Sequence, residues 1–170
     1  MEIGKGVRFY QKTRITGKGT VVIGNNTTFW IPAGGGFKST YCELQARYED
    51  ARIKIGENVA INNGLTIISA ESGEIGDDTL IGRDLQISDH DGHGIMPHER
   101  RGSKGQPKPV SIGRNVWIGN SVTILKGSVI SDNCIIGACS VVTGKCFAES
   151  TILAGNPAKE IRNLFKTSNQ

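Results

Sequence analysis

The stretch Ile112–Val142, IGRNVWIGNSVTILKGSVISDNCIIGACSVV, decides the fold. Ile112, Ile118, Ile124, Ile130, Ile136 and Val142 recur at every sixth position. Four places after each stands a small or β-branched residue: Val116, Val122, Ser128, Cys134, Ser140 and Cys146. Self-similarity at a fixed period marks a repeat architecture. Six is neither the helical period nor strand alternation, so the repeating unit is a coil of chain. Three hexapeptides, each a short strand and a turn of Gly, Asn or Asp, close a triangular prism whose coils stack at about 4.8 Å. Each inward Ile then sits on the Ile of the next coil, giving an almost one-dimensional core. Gly113, Gly119 and Gly137 directly follow large residues, and are expected to supply corner angles that a side chain forbids. The period predicts a parallel β-helix but not its hand, since right-handed crossover is only the general rule.

The same period runs through Ile3, Phe9, Ile15 and Val21, and resumes out of step at Ile23 and Phe29. It fails from Ala33 to Ile53, which predicts a bulged or looped coil there. Ile55, Ile61 and Ile67 restart it, and Ile75, Ile81 and Ile87 follow after a two-residue slip. The longest break, Ser88 to Ser111, contains HDGHGIMPHERRGSKGQPKP. A long polar loop within a repeat array is a place for function. After Cys146 the pattern decays, Asn156-Pro157 ends the coil, and Ala158–Lys166 is expected to form a short helix with Ile161, Leu164 and Phe165 on one side. The chain therefore reads as one β-helix over 1–155, with a loop insertion at 88–111, and a capping helix and tail over 156–170.

Twenty basic and 16 acidic residues leave a formal net charge of +4 on 170 residues. Intermixed charges of that size do not make a nucleic-acid surface, though local basic spots suit an anionic ligand. There is no apolar run long enough for a membrane span and no signal-peptide core at the N-terminus. The expectation is a soluble cytoplasmic protein without membrane insertion. The four cysteines show no CxxC spacing, and Cys134 and Cys146, in the inward slot, read as core thiols of a reducing compartment.

All three histidines, His90, His93 and His98, lie in the long loop, and Asp89 and Asp91 alternate with the first two in SDHDGHGI. A neutral imidazole beside a carboxylate removes a proton from a hydroxyl near pH 7. A solvated loop with incidental histidines is the equally weighted alternative. His93 and His98 have the five-residue spacing of two zinc ligands in the β-helical gamma-class carbonic anhydrases, but no third His lies upstream, so no metal is expected.

Beyond these readings, the segments IGENVAINNGLTI, IGDDTLIG, GHGI…HERR, KPVSIGRNVWIGNSVTILKG, IIGACSVVTGK and AGNPAKEIR resemble the hexapeptide-repeat acyltransferases. The similarity is to the maltose and galactoside O-acetyltransferase type and its polysaccharide-acetylating relatives, over the last two-thirds of the chain. It implies a left-handed β-helix, a homotrimer with sites between neighbouring prisms, and acetyl-CoA as co-substrate. It implies a loop His as catalytic base, best matched by His93, with His90 the alternative because this loop is one residue longer. Asp89 and Asp91 match the acidic partners of that base, and Asn62 a residue that positions the acceptor. Trp117 matches a Trp near the thioester. Gly82, Gly119 and Ala138 match positions whose backbone meets the pantetheine arm, and Lys159 and Arg162 match basic residues near the coenzyme phosphates. The Lys usual after SVVT is displaced here to Lys145 by Gly144, which removes that phosphate contact from the match.

Each of these residues also has a plain structural reading: Asn62 as a corner residue, Trp117 as a side cover, Lys159 and Arg162 as surface charges. The leading function is transfer of an acetyl group to a hydroxyl of a sugar or surface-polysaccharide precursor in a ternary complex. An N-acetyltransferase for an amino sugar, or an acetyltransferase for a small xenobiotic alcohol, is the enzymatic alternative. A β-helical scaffold or binding module is the non-enzymatic one. Cys42 is the one loosely placed candidate for a covalent acyl-enzyme.

Overall fold

In a computed structural model that describes residues 1–30, 40–103 and 105–166, short strands wind into a prism with three parallel faces. A coil is traced by Ser72–Ile75 on the first face, Leu80–Ile81 on the second and Gln86–Ser88 on the third. The chain then re-enters the first face at Val110–Ile112. The faces hold seven, eight and six strands, so the prism extends by stacking rather than by widening.

Register explains the period. Ile112 pairs with Ile130, Ile118 with Ile136 and Ile124 with Val142, each 18 residues on. Ile55 pairs with Ile75 and Ile61 with Ile81, so the two-residue slip is absorbed within one coil and the inward columns stay aligned. The core is these columns: Ile55, Ile61, Ile67, Ile118 and Ile124 have no exposed surface. Strands of two to five residues suffice because each inward side chain is covered by its own column above and below.

The corners correct one expectation. Gly113 and Gly119 do not carry the positive-φ geometry. That falls three positions after the inward residue, on Asn58, Asp78, Asn115 and Asn133 on one corner and on Asp84, Ser121 and Cys139 on the next, each with φ between 52° and 61°. Short polar side chains tolerate the left-handed region best among non-glycine residues. Glycine is needed for close stacking instead: a Cβ on Gly113 would lie 2.3 Å from Asp132 Oδ1, which accepts the Arg114 N–H of the same corner.

Two further expectations are overturned. The expected C-terminal helix is a strand, Ala158–Asn163, pairing antiparallel with Thr151–Gly155 across the Asn156-Pro157 turn. Extended backbone there extends the second face and hides the edge amides that a helix would leave open. Ile161 and Phe165 stay exposed, so no apolar helix face forms. Cys146 is likewise exposed, because Ile130 pairs with Phe147 and not with a residue 18 places on. The shortened coil puts Phe147 inside and turns the thiol out. Of the expected irregular coil, residues 33–39 lie outside the described residues, while Cys42–Ala46 and Arg52–Ile55 are regular strands. Among the described residues no helix is long and apolar enough to cross a membrane.

Burial pushes the thiols of Cys42 and Cys134 up from their ordinary range. Only a thiolate attacks a disulfide reagent readily. Ellman's reagent should therefore titrate Cys139 and Cys146 in the native protein and reach Cys42 and Cys134 only on unfolding. Four fast thiols would refute the packing. Replacing Ile118 by Ala, in the middle of its column, should lower stability in urea by about 2–5 kcal/mol.

Candidate functional site

The loop leaves the prism after Ser88 and returns at Val110, at the corner between the third and first faces. Its root is tied by Asp89, which is 1% exposed. One carboxylate oxygen accepts from Ala70 N at 2.7 Å; the other accepts from Glu71 N at 2.8 Å and Ser69 Oγ at 2.7 Å. The Asp89 carbonyl accepts from Lys108 N at 2.8 Å and closes the loop at its base. Further out, Lys126 pairs with Asp91 and donates to the Gln106 carbonyl at 3.2 Å. A loop this long is thus held by charge-assisted bonds at both levels.

The two candidate bases are in different situations. His90 is buried, with Nδ1 3.1 Å from Asp89 Oδ1 and Nε2 2.9 Å from Arg47 Nη1. A carboxylate accepts and a guanidinium only donates, so Nδ1 carries the hydrogen and the Nε2 lone pair is already taken by Arg47. His93 is exposed, with Nδ1 2.9 Å from the carbonyl oxygen of Arg100. A carbonyl oxygen cannot donate, so this contact also protonates Nδ1, but here Nε2 has no hydrogen-bond partner among the described residues. His93, His90 and Arg47, with Ile68, Ser88, Asp91 and Gly92, line an open recess of about 370 Å³ on the outer side of the third face.

Neither expected acid touches His93. Asp89 is spent on the Ser69–Glu71 corner and His90, and Asp91 on Lys126; the role of holding the His93 ring falls to the Arg100 carbonyl. His98 is exposed and lies 3.8 Å from Glu99. No group of three or more His, Cys, Asp or Glu among the described residues is placed to hold a metal ion. Cys42, buried and bonded to Gln11 Oε1 at 3.0 Å, is no accessible nucleophile.

The residues matched to coenzyme contacts gather elsewhere, on the second face and its trailing corner. Trp117 is 57% exposed between Leu80 and Ile135 on the outer side of that face. Gly82, Gly119 and Ala138 stack on the corner just after it, and a Cβ on Gly119 would meet Ala138 N at 2.6 Å. Coil stacking thus already requires Gly119. Lys159 and Arg162 are exposed on the terminal strand, in register with Ala154 and Ile152. Asn62 precedes Gly82 on the same corner, half-buried, with its Oδ1 accepting from Asn63 N at 2.8 Å. None of these residues lines the recesses around the loop.

Sequence reasoning missed Arg47 and Lys126. Lys126 lies within the clean repeat and looks like any outward residue. Arg47 follows an interrupted coil, and its closeness to the loop emerges only from the pairing of Ala46 with Ser69.

Comparison with known proteins agrees with this architecture. Residues 109–144 match the family model described as "Bacterial transferase hexapeptide (six repeats)". The chain is 40% identical over 119 residues to "Putative lipopolysaccharide biosynthesis O-acetyl transferase WbbJ" of Escherichia coli (strain K12), covering 65% of this chain and 60% of that protein. It is 38% identical over 114 residues to the galactoside O-acetyltransferase of the same strain, covering 67% of this chain and 55% of that protein. The chain thus spans somewhat more than half the length of these curated relatives. A hexapeptide-repeat acetyltransferase from Vibrio cholerae O1 biovar eltor, solved with acetyl coenzyme A, shares the fold at a TM-score of 0.59 and 20% identity, covering 95% of this chain and 73% of that one. The architecture is the left-handed β-helix of such proteins. By its repeat, its coils and its relatives, the chain belongs to the hexapeptide-repeat acyltransferase family.

Proposed function

We propose that this chain transfers the acetyl group of acetyl-CoA to a hydroxyl of a sugar or surface-polysaccharide precursor, with His93 as general base. The observation that carries the reading is the 2.9 Å contact of His93 Nδ1 with the Arg100 carbonyl, which commits Nδ1–H and leaves Nε2 as the available base on a residue that lines an open recess. The relatives named as O-acetyltransferases support the reaction class, and the acetyl-CoA complex of the Vibrio cholerae protein supports the donor.

In this reaction Nε2 of His93 takes the acceptor hydroxyl proton while the oxygen attacks the thioester carbonyl carbon. The tetrahedral centre collapses with loss of the C–S bond, and the imidazolium returns the proton to the departing thiolate. The products are the acetyl ester and free coenzyme A. Trp117, Gly82, Gly119 and Ala138 would lie along the donor's pantetheine arm, with Lys159 and Arg162 at its phosphate end. Those positions span four strand spacings on the second face, from the corner after Leu80–Ile81 to the terminal strand, about 19 Å.

The base and this donor track lie at different corners of one prism. A cyclic trimer, in which the loop of one copy faces the donor track of the next, completes the site three times. All four cysteines are unpaired, which supports a reducing compartment such as the cytoplasm. An inert scaffold would need neither an oriented imidazole with a free lone pair nor a loop root tied by a buried carboxylate.

His93→Ala should keep the fold and oligomer and slow thiol release from acetyl-CoA with a sugar acceptor by about 10²–10⁴-fold; near-normal turnover would reject the assignment. Subunit mixing tests the shared site. Ala138→Trp should block the donor track, and each variant alone should be inactive. Refolded together in equal amounts they should regain activity at roughly one site in four, the share expected for random cyclic trimers. No recovery on mixing would place the whole site within one copy.

A further inference from the structure

The outer side of the third face carries a cation that the fold does not neutralise. Arg47 follows the strand Cys42–Ala46, and its backbone N–H donates to the Ser69 carbonyl at 2.8 Å. Its guanidinium is oriented by two hydrogen bonds: Nε donates to Gln45 Oε1 at 2.6 Å and Nη1 to His90 Nε2 at 2.9 Å. Both acceptors are uncharged, the first an amide and the second an imidazole whose Nδ1–H is committed to Asp89. All 16 Asp and Glu side chains lie within the described residues. The ion pairs among them engage Asp78, Asp84, Asp89, Asp91 and Glu99, and none is to Arg47.

A surface arginine with no task samples many rotamers in water. This one is held by a relay, Asp89 to His90 to Arg47, that crosses three successive coils and is anchored on a buried carboxylate. Two of the five N–H groups of the guanidinium are used, one by the relay and one by Gln45, and the side chain lines the same recess as His93. A planar donor fork, oriented and without a counter-charge, suits bidentate recognition of a carboxylate or phosphate.

We propose that Arg47 is a specificity-determining residue that binds an anionic group on the acceptor. The group would be the carboxylate of an acidic sugar or the phosphate of a sugar phosphate, seated in the recess with the reacting hydroxyl turned to His93. His90 is then a positioning residue that aims the guanidinium. The proposal rests on the acetyl-transfer reading for the identity of the ligand as an acceptor, and its test does not require turnover.

The test is equilibrium binding to the full chain, without acyl donor, of methyl glucuronide, glucose 6-phosphate and methyl glucoside. At least one anionic sugar should bind about tenfold or more tightly than the neutral one, as a charge-assisted hydrogen-bonded pair would give. The stronger of the two separates carboxylate from phosphate. Arg47→Gln should erase the preference, and Arg47→Lys should keep part of it, since an ammonium supplies the charge without the fork. Equal affinity for all three sugars, binding of none, or a preference that survives in Arg47→Gln would overturn the proposal. Thiol release from acetyl-CoA, read on the same wild-type sample, judges acetyl transfer separately.

Discussion

One constraint governs the molecule: an inward branched side chain must stack on another at the distance set by the hydrogen bonds between coils. The backbone ladder holds strands about 4.8 Å apart, and a column of Ile at that spacing fills the space without gaps. Ile55 over Ile75, Ile61 over Ile81 and Ile118 over Ile136 satisfy both conditions together. For this reason strands of two residues persist where isolated ones would not. Residues of other size enter a column with the ladder kept, as Val142 does over Ile124 and as Phe147 does over Ile130 in a coil shortened by one residue.

The corners follow from the same constraint. Turning three times per coil while keeping every inward residue above the last requires a left-handed residue at a fixed offset. Asn, Asp and Ser occupy it at most corners and Gly6, Gly64 and Gly127 at others, while Gly113 and Gly119 stand where the next coil passes too close for a Cβ. Rigid corners let a long loop be built at one of them. The Ser88–Val110 excursion needs only a root that satisfies the corner it interrupts. Asp89 does this by capping the N–H groups of Ala70 and Glu71.

That root also separates the histidines. His90 is drawn into the relay that begins at Asp89 and ends at Arg47, so its lone pair is consumed. His93, three residues on, is beyond the reach of that relay and is held by a carbonyl that leaves its other nitrogen open. The same carboxylate therefore shapes both the loop's attachment and the electrostatics of the recess.

The period-six columns, the loop between two repeat blocks and its cluster of histidines were legible in the sequence, because each is a local pattern with one physical solution. Side-chain pairings were not. Asp89 and Asp91 look equivalent beside His90 and His93, yet one faces buried amides and the other a lysine 35 residues away. Cys146 fits the inward slot by counting, but a coil shortened by one residue puts Phe147 there. The AGNPAKEIR ending fits a helix by composition, but pairing with the open edge of the second face stabilises a strand instead. The repeat is written in the residue pattern alone, since the core is one-dimensional and nearly periodic. Tertiary structure decided which imidazole keeps a free lone pair and where Arg47 points, because those depend on residues brought together from different coils.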